Sequence, residues 1–208
     1  MIDVFFQNLI LAFVAIDPIS LIPIFASLTA GMHKHEIHHI VVVSTVVSLV
    51  VLVLFGLVGS SLLHFLQIDL ASFRIAGGLF LFAVGFEMVF SKRAERKRDA
   101  ADKARDEQVI SSLAVFPVAI PLIAGPATIA MVILVSGDWL QNPVQIWTGL
   151  LPVLLVAAST VLSMLVASVI VRHIGTLASM VAQRVFGIFL AALAVQFIID
   201  GIRELSAM

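Results

Sequence analysis

The feature that most constrains this chain is an uncharged apolar run. Residues 40–63 contain no Asp, Glu, Lys or Arg, and a helix needs about 20 apolar residues to cross about 30 Å of hydrocarbon. The rest of the chain is similar in character, because 61% of its 208 residues are hydrophobic and 12% are charged. A soluble domain carries about twice that charged fraction. The sequence therefore predicts an all-α integral membrane protein that contacts the lipid bilayer.

Six stretches are predicted to be membrane spans: residues 4–30, 40–66, 73–90, 111–136, 146–171 and 184–202. Each is a continuous apolar run rather than a short alternating segment, which favours helices over the strands of a membrane barrel. The spans divide the chain into a first three-helix half (residues 1–90), a charged linker (91–110) and a second three-helix half (111–208).

The basic residues predict the orientation of these spans. Residues 91–108 contain seven of the twelve Lys and Arg residues, and Lys34, Arg172 and Arg184 fall on the same side of the membrane. Only Arg74 and Arg203 fall on the other side. Basic residues accumulate on the cytoplasmic side, so we expect a cytoplasmic linker and both termini outside. Because acidic residues are interspersed in the linker, we expect it to be a solvated, helix-like segment.

The two halves of the chain align with each other. At an offset of 108 residues Asp17-Pro18 falls on Gly125-Pro126, and at an offset of 110 Arg74-x-x-Gly77 falls on Arg184-x-x-Gly187. Since each half has three spans, the second half must be upside down relative to the first. The sequence thus predicts two inverted three-helix repeats, an arrangement typical of secondary transporters.

Prolines are predicted to break the first span of each half near the middle of the membrane. Pro18 and Pro23 lie in span 1, and span 4 contains Pro117, Pro121 and Pro126. A proline inside a helix leaves the carbonyl four residues earlier without its hydrogen bond. In hydrocarbon such backbone persists only where protein or a water-lined cavity covers it. We therefore expect discontinuous helices 1 and 4 that meet at a site.

The predicted site combines backbone groups of both signs. Half-helix N-termini suit a carboxylate, and freed carbonyls suit a cation or an ammonium group, so the site matches a zwitterionic amino acid. Ser20 and Thr128 follow the two breaks and are expected to line it. Asp17 is a carboxylate inside the membrane, where ionisable groups are costly and usually face a cavity or a partner. It is interpreted either as a contact for a cation, proton or substrate amine, or as a helix cap that accepts from the N–H of Ser20 or Leu21.

Other polar and small residues have simpler interpretations. Arg74 and Arg184 begin related spans on opposite sides, where they either extend to the membrane surface or act as paired gates. Gly77, Gly78 and Gly187 are expected to allow close helix packing. The histidines near the start of span 2 are interpreted as a solvated loop rather than a metal site. We predict no metal, no cofactor and no catalytic residues, and a net charge of −1 gives no indication of nucleic acid.

Three motifs in order resemble the MarC family of bacterial and archaeal inner-membrane proteins. They are Asp17-Pro18 followed by Pro23, then residues 73–78 (Phe-Arg-Ile-Ala-Gly-Gly), then Pro117, Pro121 and Gly125-Pro126. Residues 184–187 and 196–201 extend the resemblance through span 6. The resemblance implies a transporter of small neutral amino acids, with its substrate between the broken spans at Asp17-Pro18 and Gly125-Pro126. Many family members have Asn in place of Asp17, which favours the capping interpretation, and Gly in place of Ala127.

Together these features predict a secondary transporter for small neutral amino acids or similar small polar metabolites, with a proton or sodium ion as the coupling ion if transport is coupled. The resemblance implies the bacterial inner membrane as its location. The alternatives are an ion channel or exporter, and a non-transporting membrane protein. No nucleotide-binding loop supports ATP-driven transport, and no catalytic motif at helix depth supports an intramembrane enzyme. Substrate identity, direction and association of copies of the chain stay open.

Overall fold

The computed structural model describes residues 2–105, 113–136, 143–170 and 176–207, and all the regular elements in these ranges are helical. Arg172 and residues 106–110 of the predicted linker lie outside them. The elements are α1 (Ile2–Ile16), α2 (Pro18–Leu28), α3 (Lys34–Phe65), α4 (Leu70–Val89), α5 (Lys92–Arg105), α6 (Ala114–Ile123), α7 (Pro126–Ser136), α8 (Pro143–Ile170) and α9 (Thr176–Ser206).

Five helices in the described residues are long and apolar enough to cross a membrane. They are Ile2–Leu28 (α1 and α2 together), Lys34–Phe65, Leu70–Val89, Ile146–Ala167 and Met180–Ser206. The pair α6 and α7, bent by 57° at a short break, makes a sixth if it counts as one span. The prediction of a helical protein with several spans is therefore confirmed.

The distribution of apolar and polar side chains on α3 is the reverse of that on a helix of a soluble protein. Val46, Val50 and Leu54 are exposed, whereas Ser44 and Ser48 are buried. A helix in water shows the opposite pattern, because its apolar stripe faces the core. Exposed valines and leucines match a lipid surround, and the small buried side chains let neighbouring helices approach. α3 also begins at Lys34, before the predicted residue 40, since the Glu36 carboxylate accepts from the His33 N–H at 2.7 Å.

Span 1 and the α6–α7 pair both contain residues whose backbone torsions are not helical. α1 ends at Ile16 and α2 begins at Pro18, and Asp17 between them has a left-handed backbone (φ 59°, ψ 66°). Pro23 was expected to break the helix, but α2 continues through it to Leu28, so Asp17-Pro18 is the interruption in span 1. In α6 the residues before Pro117 and Pro121 are extended, because a proline disfavours helical torsions in the residue before it.

Packing connects the two halves of the chain. The first span (α1 and α2) packs against α8, and the α6–α7 pair packs against α3. α4 and α9 pack antiparallel, since Gly78 faces Ala194 and Gly85 faces Gly187. A Cβ on Gly78 would lie 2.8 Å from the Ala194 carbonyl oxygen, so the two backbones are closer than an alanine allows.

α5 is not the fully solvated linker that the sequence predicted. It is helical as expected, and Lys92, Arg96 and Arg98 on it are exposed. Arg93 and Lys97, however, are only 5% and 7% exposed, because α5 packs against α2, α4 and α6. The two buried side chains are one helical turn apart and so lie on the same face.

Candidate functional site

Asp17 caps the second part of the broken span. Its Oδ1 accepts from the Ser20 backbone N–H at 3.2 Å, and the Ser20 hydroxyl donates to Oδ2. The Asp17 N–H still donates to the Phe13 carbonyl at 2.9 Å, so α1 keeps its hydrogen bonding up to the break. The prediction that Asp17 caps the helix by accepting from the Ser20 N–H is therefore confirmed. Asp and Asn are the side chains that best tolerate left-handed torsions while capping a helix.

The carbonyls at the end of α1 accept hydrogen bonds from side chains of other elements. The Ala15 carbonyl accepts from the Arg93 guanidinium at 2.6 Å and from the Thr128 hydroxyl of α7 at 3.3 Å. The Ile16 carbonyl accepts from the Lys97 ammonium at 3.4 Å. In an unbroken helix these carbonyls would pair with backbone N–H groups. The break thus joins α1 to α5 and α7 through polar contacts inside the protein.

The same donors surround the Asp17 carboxylate. Arg93 Nε and Lys97 Nζ each lie 3.8 Å from Asp17 Oδ2. Asp17 itself is 3% exposed, so these three charged side chains are shielded from solvent. One carboxylate with two cations has a net charge of +1 when all three groups are ionised. We call Asp17, Arg93 and Lys97 the break cluster.

Burial changes the acidity of the two cations. It lowers the pKa of the Lys97 ammonium to about 7, although the Asp17 carboxylate opposes the shift. Burial also lowers the pKa of the Arg93 guanidinium, again against the influence of Asp17. Arginine keeps its charge in proteins. The Lys97 ammonium therefore loses its proton near neutral pH.

α5 is attached to the end of α4 as well as to the break. Arg96 forms a 2.8 Å ion pair with Glu87, and the second carboxylate oxygen of Glu87 is buried without a hydrogen-bond partner. Ser91 has a left-handed backbone (φ 62°) in the turn between the two helices. This turn directs Arg93 and Lys97 back towards the broken span.

The structure brings some of the predicted site residues together and separates others. Asp17, Ser20 and Thr128 are all buried, and Thr128 reaches the end of α1. Pro18 is buried beside them, whereas Gly125 is half-buried and Pro126 is exposed. A Cβ on Gly125 would lie 2.7 Å from the Pro121 carbonyl oxygen. A side chain at position 125 would therefore collide with the backbone, which explains why this residue is glycine.

The predicted gate and packing residues lie away from the break cluster. Arg74 forms an ion pair with Glu204 of α9, and Arg184 is exposed. Gly77 faces Leu134 of α7, and Gly187 faces Gly85 of α4. The glycines thus lie at helix–helix contacts. The two arginines do not share one environment.

An apolar cleft of about 320 Å³ lies between α1, α8 and α9. Leu9, Phe13 and Leu155 line it, and its polar member Ser159 donates to the Val156 carbonyl of its own helix. No member of the break cluster lines the cleft, so it does not suit a charged ligand. Across the described ranges, no group of three His, Asp or Glu side chains could hold a metal ion.

The sequence interpretation missed Arg93 and Lys97. A charged segment with mixed signs normally predicts a solvated helix, and the acidic neighbours of these residues supported that. Two features of the sequence indicate instead that Arg93 and Lys97 contact the break. Arg93 and Lys97 are spaced four apart on one face, and a helix broken inside a membrane requires donors for its last carbonyls.

Comparison with known proteins agrees with this architecture. The family described as "MarC family integral membrane protein" matches residues 2–206. A UPF0056 membrane protein of Methanocaldococcus jannaschii is 32% identical over 203 residues, which cover 95% of this chain and 97% of that protein. A UPF0056 membrane protein of Archaeoglobus fulgidus is 30% identical over 204 residues, covering 96% and 92%.

A bacterial relative is similar over the same length. The UPF0056 inner membrane protein YhgN of Escherichia coli K12 is 29% identical over 194 residues, which cover 93% of each chain. No solved structure matches. The family profile and the relatives each extend over nearly the whole chain. The chain therefore belongs to the MarC family and is a multi-pass integral membrane protein.

Proposed function

We propose that this protein is a secondary transporter of small neutral amino acids or similar small polar metabolites. The substrate binds near the middle of the membrane, between the break at Asp17 and the start of α7. The single observation that carries the proposal is the break cluster. Three charged side chains that are at most 7% exposed converge on the interrupted backbone of a membrane span. Buried ionisable groups of this kind mark substrate or ion pathways in membrane proteins.

The chemistry of the break suits a zwitterion. The Asp17 carboxylate and the Ala15 and Ile16 carbonyls attract an ammonium group, and Arg93 and Lys97 attract a carboxylate. The N-terminus of α2 adds a positive dipole end. An amino acid offers both charges within a few ångströms, so it can replace internal ion pairs charge for charge.

The packing of the two halves supports alternating access. The broken span of each half packs against the second span of the other half, and the two third spans pack against each other. Such reciprocal packing is expected of inverted repeats. In transporters built from them, one set of helices moves against the other around a central site. With the basic α5 in the cytoplasm, both termini lie outside a bacterial inner membrane. A proton or sodium gradient is the proposed driving force.

The experiment is uptake of labelled glycine and alanine by proteoliposomes, with and without imposed pH and sodium gradients. We expect saturable uptake that Thr128→Val reduces at least about tenfold, because this change removes a hydroxyl from the site (about 1.4 kcal/mol). Thr160→Val is the matched control. Thr160 is also buried, but its hydroxyl donates to Val156 of its own helix, so uptake should be retained. Absence of saturable uptake of any small amino acid would refute the proposal, and an ohmic ion current would favour a channel.

A further inference from the structure

Lys97 places an ammonium group at the end of α1. Its Nζ lies 3.4 Å from the Ile16 carbonyl oxygen and 3.8 Å from Asp17 Oδ2. Hydrogen bonds from N–H to oxygen usually measure about 2.9 Å, so both contacts are long. The position of Nζ therefore suits an ammonium group, but the surrounding oxygens do not hold the Lys97 ammonium tightly.

Arg93 is sufficient to neutralise Asp17. It donates to the Ala15 carbonyl at 2.6 Å and lies within 3.8 Å of the carboxylate. Lys97 is a second cation, and a buried charge without its own partner is costly. The break cluster thus contains one cation more than its electrostatics require, and that cation is on a helix outside the membrane spans.

We infer that the Asp17 carboxylate and the Ile16 carbonyl form a subsite for a primary ammonium group, which Lys97 occupies as a tethered competitor of the substrate. The amine of an amino acid takes this subsite when Lys97 leaves, and the carboxylate then meets Arg93. The inference rests on the proposed function for the identity of the substrate, but the subsite is testable with a simple ammonium ion.

The attachment of α5 allows this exchange. Besides its contacts at the break, its described polar contacts with α4 are the ion pair of Arg96 with Glu87 and a 3.5 Å contact from Arg93 Nη1 to Met88 Sδ. The Arg96 side chain is 63% exposed. Because the Arg96 side chain is exposed, solvent weakens this ion pair. If Lys97 is withdrawn in about one molecule in ten, apparent substrate affinity is about tenfold weaker than the intrinsic value.

Chemical rescue tests the subsite. Lys97→Ala removes the ammonium and leaves space beside Asp17. We expect ethylammonium chloride to raise the melting temperature of this variant in nanodiscs more than sodium chloride does. Lys92→Ala, at an exposed position of the same helix, should show no difference between the two salts. Glycine should also stabilise Lys97→Ala, whereas N-acetylglycine, which has no ammonium group, should not. Equal effects of ethylammonium and sodium would overturn the subsite.

A second variant keeps the test decisive if Lys97→Ala does not fold. Lys97→Met retains the side-chain length without charge, and we expect it to bind glycine about tenfold more tightly than Lys92→Met. If Lys97→Met and Lys92→Met bind glycine with equal affinity while the wild type takes up glycine, the subsite is overturned. The proposed transport function would be unaffected by that result. Rescue by ethylammonium without uptake or binding of any amino acid would support the subsite and refute the proposed substrate.

Discussion

Asp17 combines a capping role with an electrostatic role. Its carboxylate accepts from the Ser20 N–H and lies near two buried cations. Asn retains the cap without the charge, so Asp17→Asn should lose about 3 kcal/mol of unfolding free energy, as expected when one partner of a buried ion pair is removed. Asp17→Ala also removes the cap and should lose about 1 kcal/mol more. Denaturant unfolding in mixed micelles measures both, and equal values for the two variants would show that the cap contributes nothing.

Lys97 makes stability depend on pH. Burial lowers its pKa from 10.5 to about 7, so between these values the unfolded chain binds a proton that the folded chain lacks. Stability should therefore rise with pH through this window, by at most about 1.4 kcal/mol per pH unit. The charged groups that affect the pKa of Lys97 are Asp17, Arg93 and Arg96. Glu87 of α4 affects the pKa of Arg93.

Lys97→Met should lack this rise, and that comparison is the measurement. Unfolding free energies of both proteins at about pH 7, 8 and 9 should diverge steadily in favour of the wild type. Parallel pH profiles would mean that Lys97 has the same affinity for protons in the folded and unfolded states.

At this scale the sequence was informative about Asp17 and uninformative about its partners. An Asp-Pro pair inside an apolar run predicts a cap because both residue types suit the start of a helix. Arg93 and Lys97 could not be assigned to the break from the sequence, because their burial results from the way α5 folds back on α2, α4 and α6. Local charge composition does not report such a tertiary contact.

At the scale of the elements, α4 and α9 form a close helix pair. Glycines at Gly78 and Gly85 bring the two backbones together. In an isolated helix Gly78→Ala would add about 1 kcal/mol of stability. Here the new Cβ would lie 2.8 Å from the Ala194 carbonyl oxygen, so we expect a net loss of about 1–3 kcal/mol.

Thermal unfolding in nanodiscs tests this packing contact. The control is Ala83→Val on the exposed face of the same helix, which enlarges a side chain where only lipid is displaced and should change the melting temperature little. A Gly78→Ala protein that melts at or above the wild-type temperature would show that the backbones are not held at this distance.

Spans were easier to predict than the interruptions in them. Length and uninterrupted apolar composition locate a membrane helix. A proline does not determine by itself whether the helix stops, as α2 shows by continuing through Pro23. Asp17 makes the difference at the first break, because it combines left-handed torsions with a side-chain cap.

The whole molecule is a bundle in which each half completes the packing of the other. α5 closes one side of the break cluster with two buried cations, and Thr128 of α7 links the second half to the first. The proposed transport function requires such a site to open to each side in turn. Thr128, which is 2% exposed, should therefore become accessible during the cycle.

Cysteine accessibility tests this central claim most directly, because the natural chain contains no cysteine. In oriented vesicles, Thr128→Cys should react with a membrane-impermeant maleimide added to either side, and glycine or alanine should change both rates. Thr160→Cys, buried at 1% on α8, is the control and should stay unreactive. A cysteine at position 128 that is unreactive from both sides, with and without amino acid, would contradict alternating access through this site.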